Sequence, residues 1–192
     1  MLLSHLQTLQ QLIHLHLNCL SDAGQGDPPV AAYSALTASS KLQLLDVSHC
    51  HLPAGVWQHV FSTGRQLPYL TSLNITDVRE PLEGSRLVSC CPSLQALYVQ
   101  RRVGGRSELL ASLHELRPLH TLHLTAEVGS AAATLQMVCQ LTGLRELDVN
   151  SHEAVTEGVL QLSKLKQLAS LYYYEPGMGL NSVSLTCEVR GS

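Results

Sequence analysis

Sorted into apolar and polar positions alone, the chain repeats one short signature, apolar-x-x-apolar-x-apolar. Copies begin at Leu12 (LIHLHL), Leu42 (LQLLDV), Leu70 (LTSLNI), Leu94 (LQALYV), Leu119 (LHTLHL), Leu144 (LRELDV) and Leu168 (LASLYY). Successive starts lie 30, 28, 24, 25, 25 and 24 residues apart. Within each copy the last two apolar positions are two residues apart, the period of a strand with one buried face. Between copies the spacing changes to that of a helix: Val56 with Val60, Trp57 with Phe61, then Leu109, Leu113 and Leu116, then Leu135, Val138 and Leu141. Each unit therefore reads as strand, turn, short helix and return. No such unit can bury its apolar side alone, so neighbours must stack, with parallel strands on one side and helices on the other.

The spacing predicts one domain over residues 1–192, belonging to a longer array. The longest connection, Ser21 to Ser40 with GQGDPP inside it, is expected to be a flexible excursion. Leu2, Leu6 and Leu9 run at helical spacing into the first strand with no polar cap before them. That absence should leave Leu12 and Leu15 poorly covered and favour self-association through uncapped ends. Leu180, Val183 and Leu185 repeat the strand pattern only 12 residues after Leu168, too soon for a full unit, and predict a terminal hairpin across Pro176, Gly177, Met178 and Gly179.

The period and the signature resemble the leucine-rich-repeat superfamily. The closest copy is Leu42 to Pro53, LQLLDVSHCHLP, with Cys50 where such repeats place Asn or Cys and Leu52 two residues later. Elsewhere that position holds Leu20, Val78, Arg102, Glu127, His152 and Pro176, so the side-chain ladder usual in the family is largely missing. The run Cys90-Cys91-Pro92-Ser93-Leu94 is similar to the cysteine-containing repeats of F-box receptor proteins. The resemblance implies an α/β horseshoe of about seven repeats, a concave parallel sheet lined by outer helices, and a non-catalytic role in binding another protein. It leaves two variants of that role open: the substrate-recognition part of an F-box-type ubiquitin-ligase receptor, and a structural component of a cytoskeletal assembly.

Composition narrows the partners. Leucine makes up roughly a fifth of the chain while aromatics are 4%, an imbalance suited to a repeating core. The formal charge of -3 provides no field for nucleic acid or anionic lipid, and no apolar run reaches membrane-spanning length. Cys19, Cys50, Cys90, Cys91, Cys139 and Cys187 form no CxxC pair or disulfide framework and read as reduced thiols. Met1 to Leu20 lacks Lys, Arg and a cleavage site, a poor match to a signal peptide. The expectation is a cytoplasmic chain with a protein partner and no cofactor.

In strands of this kind the residues between the apolar ones line the opposite face. One such row is His16, Asp46, Asn74, Tyr98, His123, Asp148 and Tyr172; a second, two residues on, is Asn18, Ser48, Thr76, Gln100, Thr125, Asn150 and Tyr174. Within them Tyr98, Tyr172, Tyr174, His123 and Asp148, with Arg101 at the edge, are the candidate binding residues, because stiff aromatics and arginine carry interface energy. His14, His16 and Asp46 could supply three zinc ligands, but nothing identifiable orients the imidazoles. In His49-Cys50-His51 strand alternation points the thiol away from its imidazoles. Arg101, Arg102 and Arg106 with Gly104-Gly105 form the one basic cluster. No GxSxG, HExxH or phosphate-binding glycine loop is present, and no nucleophile is set beside a base, so no catalytic residue is assigned.

Overall fold

Every strand of the repeat begins two residues into its signature; in the copies at Leu12, Leu70, Leu94, Leu119, Leu144 and Leu168 the amide of that first apolar residue closes a turn before the ladder starts. The computed structural model describes residues 2–17, 28–100, 106–126, 131–151, 161–174 and 183–186. These include the strands β1 (His14–His16), β2 (Leu44–Asp46), β3 (Ser72–Asn74), β4 (Ala96–Val99), β5 (Thr121–Ala126), β6 (Glu146–Ser151), β7 (Ser170–Tyr174) and β8 (Val183–Thr186). They form one sheet in sequence order. The first seven run parallel, and β8 turns back antiparallel on β7 with Leu171 opposite Leu185. The terminal hairpin is thus present; its turn at 176–179 lies outside the described residues.

The register follows the signature without a slip. Leu15, Leu45, Leu73, Leu97, Leu122, Leu147 and Leu171 are lateral neighbours across seven strands, and all are buried. A one-residue shift anywhere would turn that leucine row to solvent, at a cost of about 1.5–3 kcal/mol for each side chain. On the same side lie α1 (Leu2–Leu6), a 3₁₀ helix at Val30–Thr37, α2 (Trp57–Val60), α3 (Gly84–Cys90), α4 (Arg106–Leu113), α5 (Ala131–Val138) and a second 3₁₀ turn at Leu162–Lys164. Their apolar residues join the strand leucines in one continuous core. The fold is an open α/β sheet of leucine-rich-repeat type, with the described helices all on one face.

Two expectations change. Part of the Ser21 to Ser40 connection is ordered: residues 30–37 form a helix with Tyr33, Leu36 and Thr37 buried, and the Thr37 hydroxyl donates to the Val60 carbonyl at 2.8 Å. The apolar YSAL run inside the connection supplies the burial that the glycines and prolines before it hide. Leu15 is also covered, since α1 buries Leu3 and Leu6 in the same core. What remains exposed at this end is Leu2, Leu9 and Ile13, each close to half accessible.

Among the described residues Cys50, Cys90, Cys91 and Cys139 are buried, and Cys90, Cys91 and Cys139 are free thiols. Burial pushes the Cys91 thiol well above its ordinary range, with the neighbouring Cys90 adding to the effect. Cys50 Sγ faces the Leu17 carbonyl of the preceding unit at 3.0 Å, the one rung of the side-chain ladder that the sequence provides.

Candidate protein interface

On the open face the backbone register places the first candidate row side by side: His16, Asp46, Asn74, Tyr98, His123, Asp148 and Tyr172. The row has two chemically different halves. In β2 and β3 the side chains are used locally: Asp46 Oδ1 accepts from the Ser48 amide at 2.9 Å, and Asn74 Oδ1 from the Thr76 amide at 3.0 Å. These Asx-type bonds take up the amides of Ser48 and Thr76 just past the ends of β2 and β3. Burial pushes the Asp46 carboxyl up, but hydrogen bonds from Ser48, from the Asn74 side chain and from His16, whose Nδ1 lies 3.5 Å away, hold it below its ordinary range.

In the other half the row is free of such bonds, and β5 and β6 run to six residues each. Here Glu146, Asp148 and Asn150 climb β6 on one face, with Thr121, His123 and Thr125 beside them on β5 and Ser170, Tyr172 and Tyr174 on β7. His123 stands between two carboxylates: Nδ1 is 3.2 Å from Asp148 Oδ2 and Nε2 is 3.5 Å from Glu146 Oε1. The bond to Asp148 is the main reason its pKa is raised; burial opposes it, and the charges of Asp148 and Glu146 reinforce it. The Tyr98 ring packs against the imidazole with centroids 4.6 Å apart and a tilt of 43°. Burial raises the Tyr98 pKa too, and Glu146 adds to that rise.

Two polar atoms at this centre, His123 Nε2 and Asn150 Oδ1, are buried with no hydrogen-bond partner. The 3.5 Å from Nε2 to Glu146 is an electrostatic contact, too long for a good hydrogen bond. Beside them Tyr172 and Tyr174 are 43% and 48% exposed. Of the candidate residues, Tyr98, His123, Asp148 and Tyr172 therefore come together, with Tyr174 next to Tyr172 along β7. Arg101, Arg102 and Asn18 lie outside the described residues. The second row differs from a uniformly solvated strip, since Ser48 and Thr125 are buried. Glu146 is the participant the sequence reading left out; it sits two residues before Asp148, and strand period alone places it on the same face.

The zinc alternatives gain nothing from this geometry: among the described residues no group of three or more His, Cys, Asp or Glu is arranged to hold a metal ion. His49 and Asp77 occupy equivalent left-handed positions in successive units, φ 58° and 57°, and pair across them at 3.0 Å, with Cys50 buried away from His49 and His51. No helix among the described residues is long and apolar enough to cross a membrane.

No family model matches the chain, and no curated protein matches it. Among solved structures the chain is similar to leiomodin-1 actin-binding site 2, at 12% identity and a TM-score of 0.46, covering 86% of each chain. It is also similar to the C-terminal domain of tropomodulin from Caenorhabditis elegans, at 10% identity and a TM-score of 0.47, covering 86% of this chain and 92% of that one. At these levels neither likeness bears on what the chain does, and the fold assignment rests on the strand register.

Proposed function

We propose that the chain is a non-catalytic protein-binding module that recognises its partner on the open face of β4–β7, within the cytoplasm. The observation that carries this reading is the juxtaposition on one face of exposed Tyr172 and Tyr174 with two buried polar atoms left unpaired, His123 Nε2 and Asn150 Oδ1. Buried polar groups are costly without partners, and exposed tyrosines offer large, stiff contact area at low entropic cost. A docked protein chain would cover the tyrosines, and it would reach the two buried atoms only if the His123 and Asn150 side chains turn outward on binding.

The test is affinity capture from the native cell, followed by binding measurements on purified variants. Tyr172→Ala and Tyr174→Ala should each weaken binding of the captured partner by about 1–3 kcal/mol, the range of interface anchors. Normal binding by both variants would remove the open face from consideration.

A further inference from the structure

Among the described strand residues the open face carries Asp46, Glu146 and Asp148 but no lysine or arginine. Its cationic groups are histidines: His16 lies against Asp46, and His123 between Glu146 and Asp148. We propose that the β5–β7 centre receives a positively charged segment of the partner protein. An arginine or lysine side chain settles against Glu146 and Asp148 between the Tyr98 and Tyr172 rings, where the His123 side chain serves as a stand-in in the free chain. This rests on the open-face reading above and adds the chemistry of the partner.

The stand-in fits loosely. Its contacts of 3.2 and 3.5 Å are longer than charge-assisted bonds of about 2.7–2.9 Å, and Nε2 makes no hydrogen bond. A guanidinium has five donors in a planar fork and can serve both carboxylates at once. The tyrosine rings on either side add an attraction specific to cations. The groups facing His123 are Tyr98 from β4 and Glu146 and Asp148 from β6; Thr121 lies on its own strand, bonded to the preceding His120 at 3.1 Å. None of them is a competing permanent cation.

One consequence separates this from generic acidic attraction. A partner cation that takes the carboxylates leaves the imidazole without the interactions that favour its proton, so binding releases that proton. Affinity then rises with pH through the titration of His123, which Asp148 and Glu146 move above its ordinary value.

The experiment is selection of a random displayed-peptide library against the full chain at about pH 8, with the enriched peptides then measured at about pH 8 and about pH 5.5. Enriched sequences should be rich in arginine or lysine and bind more weakly at the lower pH. They should lose about tenfold or more in affinity with Glu146→Gln or Asp148→Asn. His123→Gln should flatten the pH dependence, and melting curves verify that each variant is folded. Neutral or acidic peptides that still lose binding with Tyr172→Ala would overturn this inference and leave the open-face reading standing. Peptides indifferent to every one of these substitutions would overturn both. No enrichment at all, or basic peptides bound equally at the two pH values, would overturn the inference.

Discussion

Tyr98 and Tyr172 occupy the same position in their units, yet their surroundings give them different energetic roles. Tyr172 is 43% exposed and points away from the core, so Tyr172→Ala should leave the melting temperature nearly unchanged. Tyr98 is half-buried against His123, and Tyr98→Ala should cost measurable stability. Leu122, fully buried in the leucine row, should cost about 2–5 kcal/mol as Leu122→Ala through the cavity it leaves. Thermal melts of the three variants check this order; an early-melting Tyr172→Ala would mean the strand face is misassigned by one residue. His123 adds a pH dependence of known sign. Its pKa is raised on folding, so the stability it contributes is fully present below the unfolded value near 6.5 and is lost as pH rises through the higher folded value. Denaturant melts across that window should show the wild type losing this increment while His123→Gln does not; parallel curves would refute the carboxylate cradle. The row itself was legible in sequence because period two and an unbroken register determine which residues adjoin. Two things were not legible. Asp46 and Asn74 spend their side chains on local amides, which depends on where each strand stops, and Glu146 lay outside rows counted only from the last two apolar positions.

Elements of the outer layer are less regular than the strands, and close packing explains the difference. The Val30–Thr37 and Leu162–Lys164 segments are 3₁₀ rather than α, and α2 has four residues. Helical spacing in sequence reported which residues face the core but could not set helix type or length, because these are decided by the gap between neighbouring units. That gap is bridged by side chains reaching carbonyls: Arg65 to Thr37 and Arg86 to Phe61. It is narrow between α3 and α4. A Cβ placed on Gly84 would lie 2.4 Å from the Leu109 carbonyl oxygen and 2.9 Å from that of Glu108. Both are backbone atoms that cannot rotate away, so glycine is required there by the close approach of two helices. Gly84→Ala should therefore destabilise the chain by about 1–3 kcal/mol through overpacking, despite alanine's better helix propensity. A stability gain in a urea melt would show that α3 and α4 can separate at no cost.

As a whole the molecule is a stack with unlike ends. At one end β8 folds back on β7; at the other, among the described residues, β1 pairs only with β2 and stands near exposed Leu9 and Ile13. An unpaired strand edge with apolar neighbours is a template for association, so the sedimentation coefficient should rise with concentration and Ile13→Lys should suppress the rise. A concentration-independent monomer would dismiss this. The same asymmetry should appear within a single molecule as a gradient of local stability, since each unit of a solenoid is held mainly by its neighbours. Leu17 and Ile75 offer a controlled comparison. They occupy the same position in their units, and their amides donate to the next strand at nearly equal distances, 2.8 Å to the Asp46 carbonyl and 2.9 Å to that of Tyr98. The hydrogen bonds themselves therefore cannot distinguish them. Ile75 follows a strand with a partner on each side and is buried, whereas Leu17 follows the edge strand and is only partly covered. Opening β1 exposes one interface; opening β3 breaks two. Under native conditions the Leu17 amide should exchange with solvent deuterium much faster than that of Ile75, through local opening at the end of the stack. Equal protection at the two positions, tracking the global unfolding free energy, would show that all units open together and that the nearest-neighbour description fails for this chain.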